Sequence, residues 1–203
     1  MTTSTNNALR HLPNLVTFAR MAAGVFGAYC LLASAGQQAE SAALAWGAAA
    51  FAIFILAALS DWLDGWLARV LDARSALGAL LDPIADKVLV SAYLLAFAAI
   101  SGWMIWLVLP VAIIVGRDGL VTILRFTRPA PATLTVTSEA RTKTALAMIM
   151  TAAPFVLVTI DLATPARLPV EAWFFYWVGG VWFIALLTAW TAFPYVRAAL
   201  GRG

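Results

Sequence analysis

Six long apolar stretches constrain the fold of this chain more than any other feature. They run approximately over residues 12–35, 41–71, 76–100, 103–126, 142–162 and 170–200. A helix needs roughly 20 apolar residues to cross a hydrocarbon core of about 30 Å, and a helix satisfies its own backbone polar groups in lipid. We therefore predict an all-α membrane protein, a single domain over residues 1–203 with six transmembrane helices.

Composition agrees with this prediction. The chain is 63% hydrophobic and 11% charged, whereas soluble domains average about 45–50% apolar and about 25% charged residues. A lone Cys30 excludes an intramolecular disulfide framework, and the one histidine, His11, argues against a His-ligated zinc or a His-based triad. Any chemistry must come from carboxylates, Arg, Lys and hydroxyl groups. The N-terminus does not have the pattern of a signal peptide.

The distribution of positive charge predicts the orientation. If both termini are cytoplasmic, every lysine and arginine except Arg167 lies at an inner connection or an inner helix end. The first helix is expected to start near Pro13, a residue suited to the first helical turn. The second stretch is too long for a simple span, so its polar half after Asp61 should leave the hydrocarbon or line a wet cavity.

The stretch from Asp61 to Lys87 places four carboxylates in an otherwise apolar sequence. These are Asp61, Asp64, Asp82 and Asp86. Residues three or four apart share a helix face. Asp61 and Asp64 therefore point the same way, and so do Asp82 and Asp86. The small residues beside them are Gly65, Ala68 and Gly78. Carboxylate pairs facing small residues predict a site for hard divalent cations, with room for a bulky anionic substrate.

Two other readings of this stretch are possible from the residues alone. Intramembrane carboxylates also bind protons or cations in transporters, and small residues let membrane helices pack closely. Paired broken helices, which are typical of transporters, are not evident in the sequence. Close packing explains the small residues but not four aspartates beside Arg69. A metal-dependent enzyme is therefore favoured over a cation-coupled transporter or a structural cluster.

The spacing of these residues resembles the signature of the CDP-alcohol phosphotransferases. It reads Asp61-x2-Asp64-Gly65-x2-Ala68-Arg69-x8-Gly78-x3-Asp82-x3-Asp86. The segment Pro13-Asn14-Leu15-x-Thr17-x2-Arg20 is similar to the opening helix of that family, and Asp82-Pro83-x-Ala85-Asp86-Lys87 to its bacterial phospholipid synthases. These membrane enzymes transfer a phosphate-linked group from a CDP-alcohol to an acceptor alcohol and release CMP.

The resemblance implies a role for each residue of the signature. Asp61, Asp64, Asp82 and Asp86 would hold two Mg²⁺ or Mn²⁺ ions, and Asp86 would also be the general base. The expected CDP-binding residues are Asn14, Thr17, Asp61, Gly65, Ala68, Arg69 and Gly78. Arg69 would pair with a phosphate oxygen. For Asn14, a helix N-cap is an equally good explanation.

The acceptor alcohol is expected to be anionic, because basic residues cluster late in the chain. The expected acceptor-binding residues are Arg117, Arg125, Arg141 and Lys143, whose charge suits a phosphate. The positive-inside rule explains part of the cluster equally well. Arg117-Asp118-x6-Arg125 and Arg141-x-Lys143-Thr144 resemble the branch of the family that uses sn-glycerol 3-phosphate.

This second resemblance is imperfect and leaves alternatives. Asp118 stands where that branch has Glu, and Arg141 stands where it has Lys. Gly116-Arg117-Asp118 is also common in CMP-forming cardiolipin synthases, which use phosphatidylglycerol, and an inositol phosphate acceptor suits the same charges. The lipid donor is expected to be CDP-diacylglycerol. The resemblance further implies a homodimer in a bacterial-type cytoplasmic membrane, with the active site on the cytoplasmic side, membrane lipids as neighbours and no nucleic acid.

Overall fold

Every regular secondary-structure element that the computed structural model describes is an α-helix. It describes the backbone of residues 3–70, 76–127, 138–163 and 169–191, and the side chains of residues 15–60, 84–123, 144–160, 169 and 172–191. The helices are α1 Thr3–Ala35, α2 Glu40–Val70, α3 Ala76–Ile100, α4 Ile105–Thr127, α5 Ser138–Ala163 and α6 Val170–Trp190. The predicted all-α class with six long helices is confirmed.

Four of these helices contain a segment long and apolar enough to cross a membrane. Within the residues whose side chains are described, the segments are Leu15–Ala35, Glu40–Ser60, Ile105–Ile123 and Ala172–Trp190, and Thr144–Ile160 is a shorter apolar segment. Large apolar side chains are exposed along them, for example Phe26 and Leu56, as expected where lipid replaces water. The structure therefore supports a membrane protein, while six crossings and cytoplasmic termini stay predictions.

The start of α1 differs from the expectation. The helix begins at Thr3, well before Pro13, because Ala8, Leu9 and Arg10 are strong helix formers that continue the helix toward the N-terminus. Asn14 therefore lies inside α1, and the alternative that it caps a helix N-terminus is wrong.

Helix α4 begins at Ile105, two residues after the predicted start at residue 103, because a turn follows α3. Gly102 and Trp103 both have left-handed backbone, with φ of 67° and 57°. The Gly102 N–H donates to the carbonyl of Ala99 at 3.0 Å, and the Trp103 N–H donates to that of Ala98 at 2.9 Å. This pair of bonds is a Schellman motif, which satisfies the last carbonyls of α3 and ends that helix.

Helix α6 ends at Trp190, earlier than the expected end near residue 200, and residues 192–203 lie outside the described part of the chain. Thr191 follows the helix as its C-cap, with its N–H donating to the carbonyl of Leu187 at 3.0 Å. Its hydroxyl donates to the carbonyl of Thr188 at 3.0 Å. Pro194 follows shortly in the sequence, and proline is common just beyond a helix end.

The chain forms two compact units, residues 1–97 and residues 98–203, and each is described by itself. In the first unit, α1 and α3 run parallel, since contacts between them advance along both helices: Arg20 with Asp86, Gly24 with Leu89, and Gly27 with Tyr93. Helix α2 runs antiparallel to α1, because Ser34 contacts Ala43 whereas Arg20 contacts Ser60. The two ends of the predicted aspartate signature therefore belong to helices that pack on a common α1.

A single face of α1 is buried, and it carries polar as well as small residues. Thr17 is 1% exposed and Arg20 is 2% exposed, and both lie on the helix face that continues through Gly24, Gly27 and Leu31. Side chains on the other side of α1, such as Phe18, are exposed. The sequence spacing thus directs a hydroxyl and a guanidinium into the interior of the first unit.

In the second unit, α6 packs against both α4 and α5. The Trp182 indole N–H donates to the carbonyl of Trp106 at 2.8 Å, and the Trp177 indole N–H donates to that of Met150 at 2.7 Å. These indole groups find their partners on the backbone of the neighbouring helices. The predicted single domain over residues 1–203 stays a prediction.

Candidate active site

An ion pair in the first unit joins α1 to α3. Nη1 of Arg20 donates to Oδ1 of Asp86 at 3.3 Å, and the side chains are 0% and 19% exposed. A buried guanidinium costs several kcal/mol to desolvate unless an anion and further acceptors compensate it. Asp86 supplies an anion for it while remaining partly accessible.

The same guanidinium also contacts α2. Nε of Arg20 donates to Oγ of Ser60 at 3.2 Å, and Oγ of Ser60 donates to the carbonyl of Ala57 at 2.8 Å. Ser60 directly precedes Asp61, the first residue of the signature. One buried side chain therefore bonds to the helix where the signature starts and to the helix where it ends.

Packing two turns farther along holds these helices in register. Tyr93 is completely buried and its hydroxyl donates to the carbonyl of Ala50 at 2.6 Å. Its ring meets Phe54 edge to face at a centroid distance of 5.1 Å. A side chain at Gly27 would clash with the Tyr93 hydroxyl and with Ile53. Glycine at this position lets α1 approach the Tyr93 ring.

The other signature residues lie on described helices but have no described side chains. Asp61, Asp64, Gly65, Ala68 and Arg69 belong to the last turns of α2, and Gly78 and Asp82 to the first turns of α3. Their shared faces and their contacts with a nucleotide stay predictions. Asp86 is the one predicted metal ligand whose surroundings are defined.

The two nucleotide-binding residues predicted in the first helix both lie in α1. Thr17 is buried, one turn before Arg20 on the same face. The side chain of Asn14 lies outside the described residues. Thr17 thus lies beside Arg20 on α1, and its contact with a nucleotide stays a prediction.

In the second unit, the Arg117 guanidinium is hydrogen-bonded to Asp118 and Thr191. Its Nη1 donates to Oδ1 of Asp118 at 2.8 Å, with 14% and 13% of the two side chains exposed. Its Nη2 donates to Oγ1 and O of Thr191 at 3.2 and 3.4 Å. The guanidinium thereby binds a carbonyl at the C-terminal end of α6, where a cation is favoured by the helix dipole.

The structure leaves the predicted acceptor site untested. The Arg117 Nε is buried and has no hydrogen-bond partner among the described residues, a feature consistent with binding an additional acceptor atom. Arg125 lies near the end of α4, and Arg141 and Lys143 lie in the first turns of α5, but their side chains are outside the described part. Anionic acceptor binding by the four residues stays a prediction.

Sequence reasoning missed the roles of two residues. The opening-helix pattern includes Arg20 without assigning it a function, and no sequence pattern points to Ser60. An arginine on the same helix face as Thr17, Gly24 and Gly27 could have signalled burial. A buried arginine in turn requires a carboxylate partner, but the sequence does not show which one.

Comparison with known proteins gives a consistent answer. The CDP-alcohol phosphatidyltransferase family matches residues 10–192. A Pseudomonas fluorescens protein named CDP-diacylglycerol--glycerol-3-phosphate 3-phosphatidyltransferase is 38% identical over 162 residues, which are 74% of each chain. Proteins of the same name from Cereibacter sphaeroides and Pectobacterium atrosepticum are 38% identical over 145 residues and 34% identical over 151 residues.

The coverage of these last two relatives differs. The match spans 71% of this chain and 62% of the Cereibacter protein, and 72% of this chain and 76% of the Pectobacterium protein. No solved structure gives a significant match. The signature, the helical membrane fold and the match over residues 10–192 together show that the chain belongs to the CDP-alcohol phosphatidyltransferase family of enzymes.

Proposed function

We propose that this protein transfers the phosphatidyl group of CDP-diacylglycerol to sn-glycerol 3-phosphate, giving phosphatidylglycerophosphate and CMP. The observation that carries the proposal is the 38% identity over 74% of both chains to a protein named for that reaction. The complete aspartate signature, Asp61 to Asp86, supports a working catalytic site. The relatives named above favour glycerol 3-phosphate over phosphatidylglycerol or an inositol phosphate.

The signature residues fit a divalent metal. Four carboxylates provide hard oxygen donors, which Mg²⁺ and Mn²⁺ prefer. The defined member, Asp86, is partly exposed and accepts a hydrogen bond through Oδ1, and a carboxylate has about four lone-pair sites. The metal would be held by Asp61, Asp64, Asp82 and Asp86, and once bound it would offset negative charge on the diphosphate.

Asp86 is the proposed general base. Its carboxylate takes the proton of the acceptor hydroxyl while that oxygen forms a bond to the phosphorus of the phosphatidyl group. The bond from this phosphorus to the oxygen of CMP breaks, and CMP leaves with the electron pair. The same carboxylate accepts a hydrogen bond from Arg20 at 3.3 Å.

The remaining signature residues bind the donor. Gly65, Ala68 and Gly78 leave space for the cytidine and the phosphates, since larger side chains would fill it. Arg69 donates to a phosphate oxygen. Asn14 and Thr17, one turn apart on α1, offer an amide and a hydroxyl to the nucleotide.

The acceptor carries a phosphate, and four basic residues are proposed to recognise it: Arg117, Arg125, Arg141 and Lys143. Arginine binds phosphate through two parallel donors, and lysine binds it as a point charge. Arg117 already binds Asp118 and Thr191, so it holds a fixed orientation before the acceptor arrives.

The site is proposed to open on the cytoplasmic side of a bacterial-type inner membrane. The distribution of Lys and Arg supports this, since all but Arg167 fall on one side of the predicted topology. Glycerol 3-phosphate and Mg²⁺ are available there. The family resemblance also supports a homodimer, which cross-linking in native membranes would test.

The acceptor assignment is tested by identifying the lipid product. Purified protein receives CDP-diacylglycerol, Mn²⁺ or Mg²⁺, and glycerol 3-phosphate, phosphatidylglycerol or inositol phosphate in separate reactions. Mass spectrometry should find phosphatidylglycerophosphate in the first reaction and no new lipid in the other two. Cardiolipin from phosphatidylglycerol alone would move the protein to another branch of the family.

A further inference from the structure

A single buried guanidinium connects the three helices of the first unit. Arg20 of α1 is 0% exposed at its side chain and donates to Asp86 of α3 and to Ser60 of α2. The two acceptors are reached by different nitrogens, Nη1 at 3.3 Å and Nε at 3.2 Å. The guanidinium is planar, so these two bonds fix the relative position of the two acceptor atoms.

The positions of the two acceptors are what give this contact a functional meaning. Ser60 precedes Asp61 in the chain, and Asp86 closes the same signature. Between them the signature crosses from α2 to α3 through residues 71–75, which lie outside the described part. Arg20 therefore bonds to both flanks of the signature from a third helix.

We propose that Arg20 is a positioning residue, which sets the orientation of the Asp86 carboxylate and the separation of α2 from α3 at the metal-binding signature. It does not touch substrate in this role and acts through Asp86. The inference rests on the proposed function, since it assigns Asp86 the part of base and metal ligand. A partner that orients a metal ligand typically contributes about 10–100-fold in metal affinity or activity.

The competing explanation is that Arg20 only stabilises the fold. The Arg20→Lys variant distinguishes this explanation from a positioning role. Arg20→Lys keeps a positive charge on a long side chain, but one ammonium cannot reproduce the rigid fork between two acceptors. Arg20→Met removes both charge and fork. Ser60→Ala removes one acceptor, while the Arg20 and Asp86 pair stays possible.

Tyr93→Phe provides the matched control. Tyr93 lies on the same face of α3 as Asp86, two turns later, and its hydroxyl bonds to α2 through Ala50. The variant therefore removes a buried hydrogen bond between α2 and α3 away from the proposed catalytic site. It shows how kcat and Mn²⁺ binding respond when the contact between α2 and α3 is weakened without any change at Arg20.

The experiment measures four quantities for the wild type and the four variants. These are kcat and KM for CDP-diacylglycerol, the dissociation constant of Mn²⁺ without substrate by electron paramagnetic resonance, and the midpoint of thermal unfolding. Arg20→Lys should lower kcat and weaken Mn²⁺ binding, each by about 10–100-fold, with KM for the lipid within about twofold. Ser60→Ala should lower kcat by about 3–10-fold, the effect of one lost hydrogen bond.

Tyr93→Phe should lower the unfolding midpoint and leave kcat and Mn²⁺ binding within about twofold of wild type. Equal kcat in Arg20→Lys and wild type would overturn the inference. So would a Tyr93→Phe protein that loses as much kcat as Arg20→Lys. If the Arg20 variants do not fold, Ser60→Ala decides: reduced kcat at an unchanged unfolding midpoint supports the inference, and wild-type kcat overturns it.

Failure of the proposed function gives a different result. Wild-type protein would then release no CMP with glycerol 3-phosphate, whereas Mn²⁺ binding is measured without turnover. Weakened Mn²⁺ binding in Arg20→Lys would still support the positioning role, and unchanged binding would overturn it.

Discussion

The hydroxyl of Tyr93 on α3 donates a 2.6 Å hydrogen bond to the backbone carbonyl of Ala50 on α2. Tyr93 is fully buried and lies on the same helix face as Asp86. The bond thus joins α3 to α2 two helical turns away from Asp86.

Replacing Tyr93 with Phe should lower the free energy of unfolding by about 1 kcal/mol, the net contribution of one neutral hydrogen bond. The ring and its contact with Phe54 are retained, so the packing should survive. Thermal unfolding followed by tryptophan fluorescence measures the change. A midpoint equal to that of the wild type would show that the bond contributes nothing to stability.

Gly27→Ala should be more harmful. The added methyl group would collide with the Tyr93 hydroxyl and with Ile53, and overpacking costs typically about 1–3 kcal/mol. Gly179→Ala in α6 is the control, because a Cβ there would meet nothing within 4 Å. The control should match or slightly exceed wild-type stability, since alanine favours helix over glycine by up to about 1 kcal/mol. Equal stability of the two variants would contradict the close α1 packing.

A double-mutant cycle on Arg20 and Asp86 should show a coupling free energy of about 1.5–3 kcal/mol, in the range of hydrogen bonds to charged groups. The variants are Arg20→Met, Asp86→Asn and the double variant, compared by denaturant or thermal unfolding. The physical reason is that either single change removes the opposite charge to which the other side chain is bonded. Additive effects would indicate that the observed 3.3 Å contact carries no net energy.

Arg125→Ala should raise KM for glycerol 3-phosphate by about tenfold or more, since a charge-assisted bond to phosphate is stronger than a neutral one. KM for CDP-diacylglycerol should stay unchanged. Arg117→Ala should also raise KM for glycerol 3-phosphate, and in addition it should lower the unfolding midpoint, because Arg117 binds Thr191 at the end of α6. Unchanged KM for glycerol 3-phosphate in both variants would remove these residues from the acceptor site.

Removal of divalent cations should abolish CMP release. The four signature aspartates carry like charges, which would repel the diphosphate of the donor without a cation. Excess chelator should stop the reaction, and added Mg²⁺ or Mn²⁺ should restore it. A control at equal ionic strength with K⁺ should not restore it. Full activity in chelator would contradict a metal-dependent mechanism.

Much of the fold could be predicted from the sequence, because apolar length alone determines helices in a membrane. The bounds of α2 and α3 agree with expectation to within a residue. Local chemistry explains the differences. Left-handed Gly102 and Trp103 delay α4, and α1 continues back to Thr3 because its first turns consist of good helix formers.

The site is predictable to a smaller extent. The family resemblance implies that Asp86 is a candidate base, and the resemblance could be recognised because the signature residues are local in sequence. The contact of Asp86 with Arg20 joins positions far apart in the chain, and helix periodicity does not show which buried residues on different helices meet. The same limit applies to Arg117, whose bond to Thr191 also joins distant positions.

The most direct test of the central claim is CMP release by purified protein supplied with CDP-diacylglycerol and Mn²⁺, before and after addition of sn-glycerol 3-phosphate. The proposed function predicts that CMP forms only after the acceptor is added. It also predicts that Asp86→Asn protein, shown to be folded by its unfolding transition, forms at least a hundredfold less, on the order of the loss expected for a general base. Wild-type protein that binds Mn²⁺ but releases no CMP with this acceptor would contradict the proposed function.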